Sequence, residues 1–348
     1  MSDCLANCRA RIVPPWDLRY SWILPPHIRE SSLPMSAIAL NVAPVFILIL
    51  TGWLIVKVGL FKVDVGDVLG DFVFKIAVPT LIIRTLVEAD FHGASPFKLW
   101  IAYFSGVAVT WAVGHIVAKY VFKQDLRIAV IAGISSSFAN NIFIGLPLVG
   151  RSVGDEGLVA LSILLAIHLP VMMIAGTILM ENATHKAIGG EKRSTGAILK
   201  QIGRNLISNP LIIGLIIGMS VHAIDVPVPV VLKSVIDQIA SMAGPAALIS
   251  LGMALNKYSI RGNVRIAATM TTFKLFLLPG CVWIAGHLLG LSPQWTAALV
   301  LTASVPTGIN AWLLANRFGT GHSLAASTIS ISTLLGVLSV SLWAWLLG

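Results

Sequence analysis

The stretch SSSFANNIFIGLP, residues 135–147, lies inside an apolar run that extends from about Ile128 to Val149. Hydroxyl and carboxamide groups are costly in hydrocarbon unless they pair with other groups or line a cavity. Gly145 and Pro147 weaken the helix that carries them, because proline lacks a backbone donor and clashes with the preceding turn. We therefore expect a broken, polar helix at the mid-depth of a membrane, where such a helix must face protein or water.

A second segment of this kind, ASVPTGINA, occupies residues 303–311. Pro306 and Gly308 interrupt the apolar pattern, so we expect a second helix break at these two residues. The hydroxyls of Ser304 and Thr307 can bind backbone carbonyls that such a break frees. Paired broken helices at mid-depth are typical of secondary transporters, and the two segments together predict a transport site.

The composition is that of a membrane protein. Of the 348 residues, 56% are hydrophobic and 11% are charged, and the mean hydropathy is +0.88, whereas soluble domains carry about 25% charged residues. The net charge of +9 agrees with basic residues in cytoplasmic loops, so we expect no nucleic-acid partner. The three cysteines form neither a disulfide framework nor a zinc-site spacing, and we expect no metal and no cofactor.

Ten apolar segments follow the first 34 residues, each near the roughly 20 residues that a helix needs to cross a bilayer. We predict an all-α polytopic membrane protein with transmembrane helices, here called spans 1 to 10, at about 37–57, 66–87, 97–121, 128–150, 157–180, 205–223, 230–254, 264–289, 293–316 and 323–347. Residues 1–34 carry prolines and arginines but no apolar segment of a signal peptide. We expect them to form a disordered tail, with Met35 as an alternative start.

An internal repeat with an offset of 166 residues relates three pairs of positions. The pairs are Gly52 with Gly218, Pro79 with Pro245, and Asn140 with Pro306. Pro79 and Pro245 are predicted as further helix breaks. Because five spans are an odd number, the second half must be inverted relative to the first. We therefore divide the chain into a five-helix repeat at 35–180, a basic loop at 181–204 and an inverted five-helix repeat at 205–348.

The basic residues indicate the orientation. Connections on the face that includes residues 181–204 carry 14 Lys and Arg residues, whereas those on the other face carry 4. Because basic loops stay inside, we place the first face in the cytoplasm and both termini outside.

Three short motifs resemble those of the auxin efflux carrier family of membrane transporters, in its compact bacterial form. They are Ala77-Val78-Pro79 in span 2, Asn140-x4-Gly145-x-Pro147 in span 4 and Pro306-x-Gly308-Ile309 in span 9. The resemblance covers residues 35–348. It implies a plasma (inner) membrane protein of two inverted five-helix repeats, with spans 4 and 9 broken and crossing.

The resemblance also implies transport of organic anions, such as auxin in plants and small carboxylates such as malonate in bacterial relatives. The plant carriers have a proline just before the span-4 asparagine, where this chain has Ala139. This departure weakens the assignment of auxin as substrate, and it moves the expected break toward Gly145 and Pro147.

The candidate substrate contacts are uncharged polar side chains near the two breaks. An asparagine amide both donates and accepts, so it can bind a carboxylate without a fixed charge and still release it. Free backbone donors at the N-termini of half-helices favour anions as well. The alternative is that these groups hold helices together. The candidates are Asn140, Asn141, Asn310, Thr307 and Ser137.

Three further candidates carry or can carry charge inside the spans. Lys75 either attracts the anion or pairs with Asp71, which lies four residues before it. Lys274 lies in the middle of span 8 without a carboxylate four residues away. His168 precedes a Leu-Pro pair and either relays protons or packs in the core.

The sequence holds no catalytic motif, so we predict a carrier of a small organic anion that works by alternating access, not an enzyme. The span-4 serines with His168 are an unfavoured hydrolase alternative. A sodium-coupled carrier of the bile-acid-transporter type and a channel or sensor on a transporter scaffold stay open. The sequence leaves open the substrate's identity, the direction of transport and the coupling ion, and it is compatible with a homodimer.

Overall fold

The computed structural model describes residues 35–89, 95–188, 208–224, 228–258, 260, 262 and 264–348. The predicted tail at 1–34 lies outside the described residues, as does most of the predicted basic loop at 181–204.

Helices account for most of the described residues, and no β-strand occurs among them. The helices are α1 Met35–Lys57, α2 Asp64–Phe72, α3 Val78–Val87, α4 Pro96–Ile116, α5 Leu126–Ser137, α6 Leu146–Ser152, α7 Asp155–Ile188, α8 Pro210–Ile224, α9 Val230–Leu255, α10 Val264–Thr272, α11 Leu278–Leu288, α12 Pro293–Ser304, α13 Asn310–Arg317 and α14 His322–Leu347. Wider π-helical turns occur at Val73–Ala77, Val117–Val121, Asn141–Gly145 and Phe273–Leu277.

Six helical segments of the described chain are long and apolar enough to cross a membrane. They are Leu40–Lys57, Pro96–Val121, Asp155–Ala187, Val230–Leu255, Val264–Leu288 and His322–Leu347. Leu126–Ser137 and Pro210–Ile224 are shorter apolar helices. The prediction of an all-helical, polytopic membrane protein is confirmed.

The prolines inside the predicted spans affect their helices in different ways. Pro79 and Pro147 each follow a π-helical turn without a gap in the helix, and Pro245 lies within the uninterrupted α9. The prediction of a break at Pro245 is therefore wrong, because a helix can lose one backbone bond and continue when its neighbours support it. Pro279 has no N–H, so the carbonyl of Leu275, four residues earlier, lacks its usual helical donor.

That carbonyl is satisfied from the last helix of the chain. The Ser339 hydroxyl donates to the Leu275 oxygen over 2.8 Å, and Trp343 Nε1 donates to it over 3.0 Å. The helix that contains Pro279 thus stays intact because α14 supplies the missing donors.

Spans 4 and 9 are broken where the polar stretches lie. The segment 138–140 separates α5 from the next helical turn, and 305–309 separates α12 from α13. The two segments run antiparallel and pair through their backbones at Ala139 and Thr307. The expected shift of the first break toward Gly145 and Pro147 is wrong, because only the segment 138–140 finds backbone partners across the crossing, and both residues lie in helical turns.

Glycines allow two pairs of helices to pack backbone against backbone. A methyl group on Gly52 of α1 would lie 2.1 Å from the Ile249 carbonyl oxygen of α9. A methyl group on Gly218 of α8 would lie 3.2 Å from the Ile83 Cα of α3. Small residues of this kind bring membrane helices close together.

Candidate functional site

A cavity of about 510 Å³ lies beside the crossing segments. Four of its lining residues are predicted site residues, namely Asn140, Asn141, His168 and Asn310. The cavity extends from the crossing to the start of α2 and the residues after α9, where Asp67 and Lys257 form an ion pair. Aromatic and aliphatic side chains form much of the remaining wall, as in most small-molecule sites.

Asn140 is fixed by its backbone, whereas its side chain is free to bind. Its N–H donates to the Pro306 oxygen over 3.0 Å, and its own carbonyl accepts the N–H groups of Ile144 and Gly145, each over 3.1 Å. The side chain is only 5% exposed and has no hydrogen-bond partner in the described part of the chain. Because Asn140 lines the cavity and its amide can both donate and accept, this group is suited to bind a ligand there.

The other two asparagines differ in their partners. Asn141 Nδ2 donates to the Tyr103 hydroxyl over 3.3 Å, and its Oδ1 has no partner among the described residues. Asn310 is half-buried at the first residue of α13 and lines the cavity. The cavity therefore presents amide groups from both broken spans.

Thr307 and Ser137 support the crossing and do not line the cavity. Thr307 Oγ1 donates to the Ser135 oxygen over 2.8 Å, and the Thr307 N–H donates to Ser332 Oγ over 3.0 Å. Ser137 Oγ donates to the Gly133 oxygen over 2.9 Å. Both side chains are fully buried. The Thr307 hydroxyl satisfies a carbonyl at the end of α5 that the break leaves free, whereas the Ser137 hydroxyl binds a carbonyl within α5 itself.

His168 lies in the cavity wall within an aromatic cluster. Its ring centroid is 5.1 Å from that of Phe138 and 5.5 Å from that of Tyr103. The side chain is buried, and its Nε2 has no hydrogen-bond partner among the described residues. The histidine thus brings a ring nitrogen near the asparagines.

Lys75 and Lys274 have opposite environments. Lys75 is 60% exposed and pairs with Asp71 over 2.6 Å, and Asp71, not Lys75, lines the cavity. Lys274 is fully buried, and its Nζ donates to the backbone oxygens of Ala303 and Val305. Neither lysine reaches the cavity wall.

The sequence did not indicate several residues at the outer part of the cavity. The Asp67–Lys257 ion pair joins residues 190 positions apart, and Ser250 Oγ donates to the Gly66 oxygen over 2.8 Å. Burial raises the pKa of Tyr258, so this phenol stays protonated at neutral pH. These contacts connect α2 with α9 and with residues after α9, and no spacing pattern along the chain could indicate them.

Metal ligands are not grouped in the described part of the chain, where no three His, Cys, Asp or Glu side chains lie close enough to hold an ion. The cavity wall offers amides and a histidine ring near the crossing, and it also includes Asp71 and the Asp67–Lys257 ion pair.

Comparison with known proteins gives one family and several relatives. A family profile described as "Membrane transport protein" matches residues 37–344. A protein of Rhizobium meliloti named "Putative malonate transporter" is 27% identical over 327 residues, which cover 88% of this chain and 95% of that protein. An uncharacterized transporter of Methanocaldococcus jannaschii is 24% identical, with 90% of this chain and 99% of the relative covered. Another, from Methanothermobacter thermautotrophicus, is also 24% identical, with 87% and 96% covered.

Proposed function

Because the chain belongs to the membrane transport protein family, we propose that it is a secondary carrier that moves a small organic anion by alternating access. The resemblance to the auxin efflux carrier family is confirmed, and the named relatives are transporters, not enzymes. Small mono- and dicarboxylates are the proposed substrates, with malonate as the first candidate, since one relative is named for it. The observation that carries the proposal is the unpartnered amide of Asn140 in a cavity at the crossing of two broken helices.

The proposed architecture has ten spans in two inverted repeats. Gly52 packs on Ile249, and Gly218 packs on Ile83. Adding 166 to 52 and subtracting 166 from 249 converts the first contact into the second, which is what two repeats related by a pseudo-two-fold axis would give. Packing of this kind supports the repeat division at 35–180 and 205–348, with residues 1–34 as a tail.

We place both termini outside the plasma membrane and the loop 181–204 in the cytoplasm, from the excess of basic residues on that face. The cavity extends to the start of α2 and the end of α9, which border cytoplasmic connections in this orientation. The proposed state of the carrier is therefore open to the cytoplasm.

A second recess supports alternating access. It has a volume of about 270 Å³ and lies at the opposite end of the same helices, where Leu48, Arg84, Arg151 and Pro245 contribute to its wall. On span 4, residues 138–143 line the first cavity and residues 146–151 contribute to the second recess. Rocking of the surrounding helices around the fixed crossing would close one recess and open the other.

The proposed binding chemistry relies on neutral donors. A carboxylate in the cavity accepts hydrogen bonds from the amides of Asn140 and Asn310 and from the His168 ring. The Asn141 amide is partly engaged by Tyr103 and positions the turn that follows the break. Lys257 lines the outer part of the same cavity but is paired with Asp67. The anion at the asparagines is therefore held mainly by neutral donors and can be released on the other side.

Transport by the purified protein in liposomes tests the proposal. Uptake of radiolabelled malonate should saturate with concentration, and unlabelled malonate inside the vesicles should accelerate it. A flux that rises linearly without exchange would indicate a channel. Absence of saturable uptake for malonate and for a panel of other mono- and dicarboxylates would contradict the proposed function.

A further inference from the structure

Lys274 places a side-chain amino group in the interior of the protein beside the second helix break. It lies in the π-helical turn Phe273–Leu277, and none of its side chain is exposed. Its Nζ donates to the Ala303 oxygen over 2.5 Å and to the Val305 oxygen over 2.6 Å. No carboxylate pairs with it in the part of the chain that the structure describes. Among the described residues, its amino group is therefore bound by backbone oxygens alone.

Both oxygens are free because α12 ends there. The last carbonyls of a helix have no donor within that helix, and they form the negative end of its dipole. Pro306 has no N–H and cannot continue the hydrogen-bonding pattern. In secondary transporters, the carbonyls of unwound segments and of half-helix C-termini coordinate the coupling cation. The Lys274 ammonium thus occupies an environment of the kind that binds a sodium ion.

Among the described residues, no such cation binds the first break. The position that corresponds to Lys274 under the 166-residue offset is Ala108. At the first break, Ser135 and Phe138 offer carbonyl oxygens to the Thr307 hydroxyl and to the Gly308 N–H, respectively. The two breaks are therefore stabilised differently: within the part of the chain that the structure describes, a lysine binds the second break and not the first.

On the basis of the proposed transport function, we propose that Lys274 is a tethered cation that fills the place of a coupling sodium ion at the span-9 break, so that this carrier binds its anion without sodium. Lys274 acts as a positioning residue, because it contacts the backbone of the crossing and not the cavity. Val305 is adjacent to Pro306, whose oxygen accepts the Asn140 N–H. Lys274 thereby holds the span-9 backbone to which Asn140, the proposed substrate contact, is hydrogen-bonded.

The wild-type protein gives the first test. Malonate binding to purified protein is measured by calorimetry in sodium, potassium and choline chloride at equal ionic strength. We expect the three dissociation constants to agree within about twofold. Binding that is tighter in sodium by about tenfold or more would overturn the inference while leaving the transport function intact.

Lys274→Ala gives the second test, because it removes the ammonium and leaves the two carbonyls with space beside them. In potassium chloride, we expect its affinity for malonate to fall by at least about tenfold, which corresponds to one lost charge-assisted hydrogen bond. Sodium chloride should restore part of the affinity and raise the melting temperature of this variant, although it raises neither in the wild type. Lys98→Ala, which neutralises an exposed lysine of α4, is the matched control and should respond equally to both salts.

A folded Lys274→Ala protein with the same melting curve and affinity in sodium and in potassium would overturn the inference. If this variant does not fold in either salt, Lys274→Gln is measured against the same criterion. If the wild type binds none of the carboxylates tested, the proposed substrate class fails. In that case, the inference is tested only by whether sodium chloride raises the melting temperature of the Lys274 variant above its value in potassium chloride.

Discussion

The backbone N–H of Asn140 donates to the carbonyl oxygen of Pro306 over 3.0 Å, and the two residues are 166 positions apart. The neighbouring bond, from the Gly308 N–H to the Phe138 oxygen over 2.8 Å, continues the antiparallel pairing. The two broken helices are thus joined at the residues that the repeat offset relates to each other. As a result, the position of the Asn140 side chain depends on a segment from the other half of the chain.

Asn140→Ala should weaken the binding of malonate, or of the carboxylate that proves to be the substrate, by about 10- to 150-fold. This range corresponds to one lost hydrogen bond to a charged group, roughly 1.5–3 kcal/mol. The melting temperature should change little, since the side chain has no protein partner in the described residues. Calorimetry beside a melting curve measures both effects. Asn316→Ala, at an exposed position of α13, is the control, and wild-type affinity in Asn140→Ala would show that the site is misplaced.

Pro306→Ala should act through the backbone. Alanine restores an N–H at the break, so α12 can extend and withdraw the carbonyl that Asn140 uses. Loss of one neutral hydrogen bond predicts an affinity about 2- to 12-fold weaker, with the bundle still folded. Pro96→Ala, at the first residue of α4, is a proline control that leaves the crossing unchanged. Unaltered ligand affinity in Pro306→Ala would exclude a role of this proline in the site.

Lys75→Gln tests whether this exposed lysine attracts the anion or only pairs with Asp71. The single change leaves an unpaired carboxylate in the cavity wall, and we expect an affinity about two- to fivefold weaker, as for other exposed ion pairs. The double variant Asp71→Asn with Lys75→Gln should recover wild-type affinity. A double variant that stays as weak as Lys75→Gln would instead assign Lys75 to anion attraction.

Gly252→Ala should strongly destabilise the protein. Its added methyl group would lie 2.0 Å from the Ile49 oxygen, so α1 and α9 must move apart. Overpacking of this kind costs typically about 1–3 kcal/mol, and a clash with backbone cannot be relieved by a change of rotamer. Gly280→Ala, whose methyl group would lie 3.7 Å from the nearest ring atom of Trp343, should melt like the wild type. Equal melting temperatures for both variants would contradict the close packing of α1 and α9.

The proposed orientation can be measured by cysteine labelling. Cys4, Cys8 and Cys281 are first replaced by serine, and a single cysteine is then placed at the exposed position Lys98 or Lys62. A membrane-impermeant maleimide added to intact cells should label Lys98→Cys and not Lys62→Cys, because we place the first outside and the second in the cytoplasm. The reverse pattern would invert the orientation and the face to which the cavity opens.

The sequence by itself determined the membrane class, the family and the polar segments that meet at the crossing. Hydropathy and helix length are properties of consecutive residues, so the apolar spans were visible in them. Asn140, Asn141, Asn310 and His168 could be selected because a polar side chain within an apolar span needs a partner or a cavity.

Only the tertiary structure decided where span 4 breaks and which polar groups face the cavity. The break lies at 138–140 and not at Gly145 and Pro147, because backbone groups freed at 138–140 find partners in the segment 305–309. Carbonyl groups that the two breaks leave free also explain two side-chain contacts. Thr307 Oγ1 donates to the Ser135 oxygen, and Lys274 Nζ donates to two carbonyls of span 9. Hydrogen bonds between residues far apart in sequence leave no local pattern, so these roles depend on how the two halves of the chain pack together.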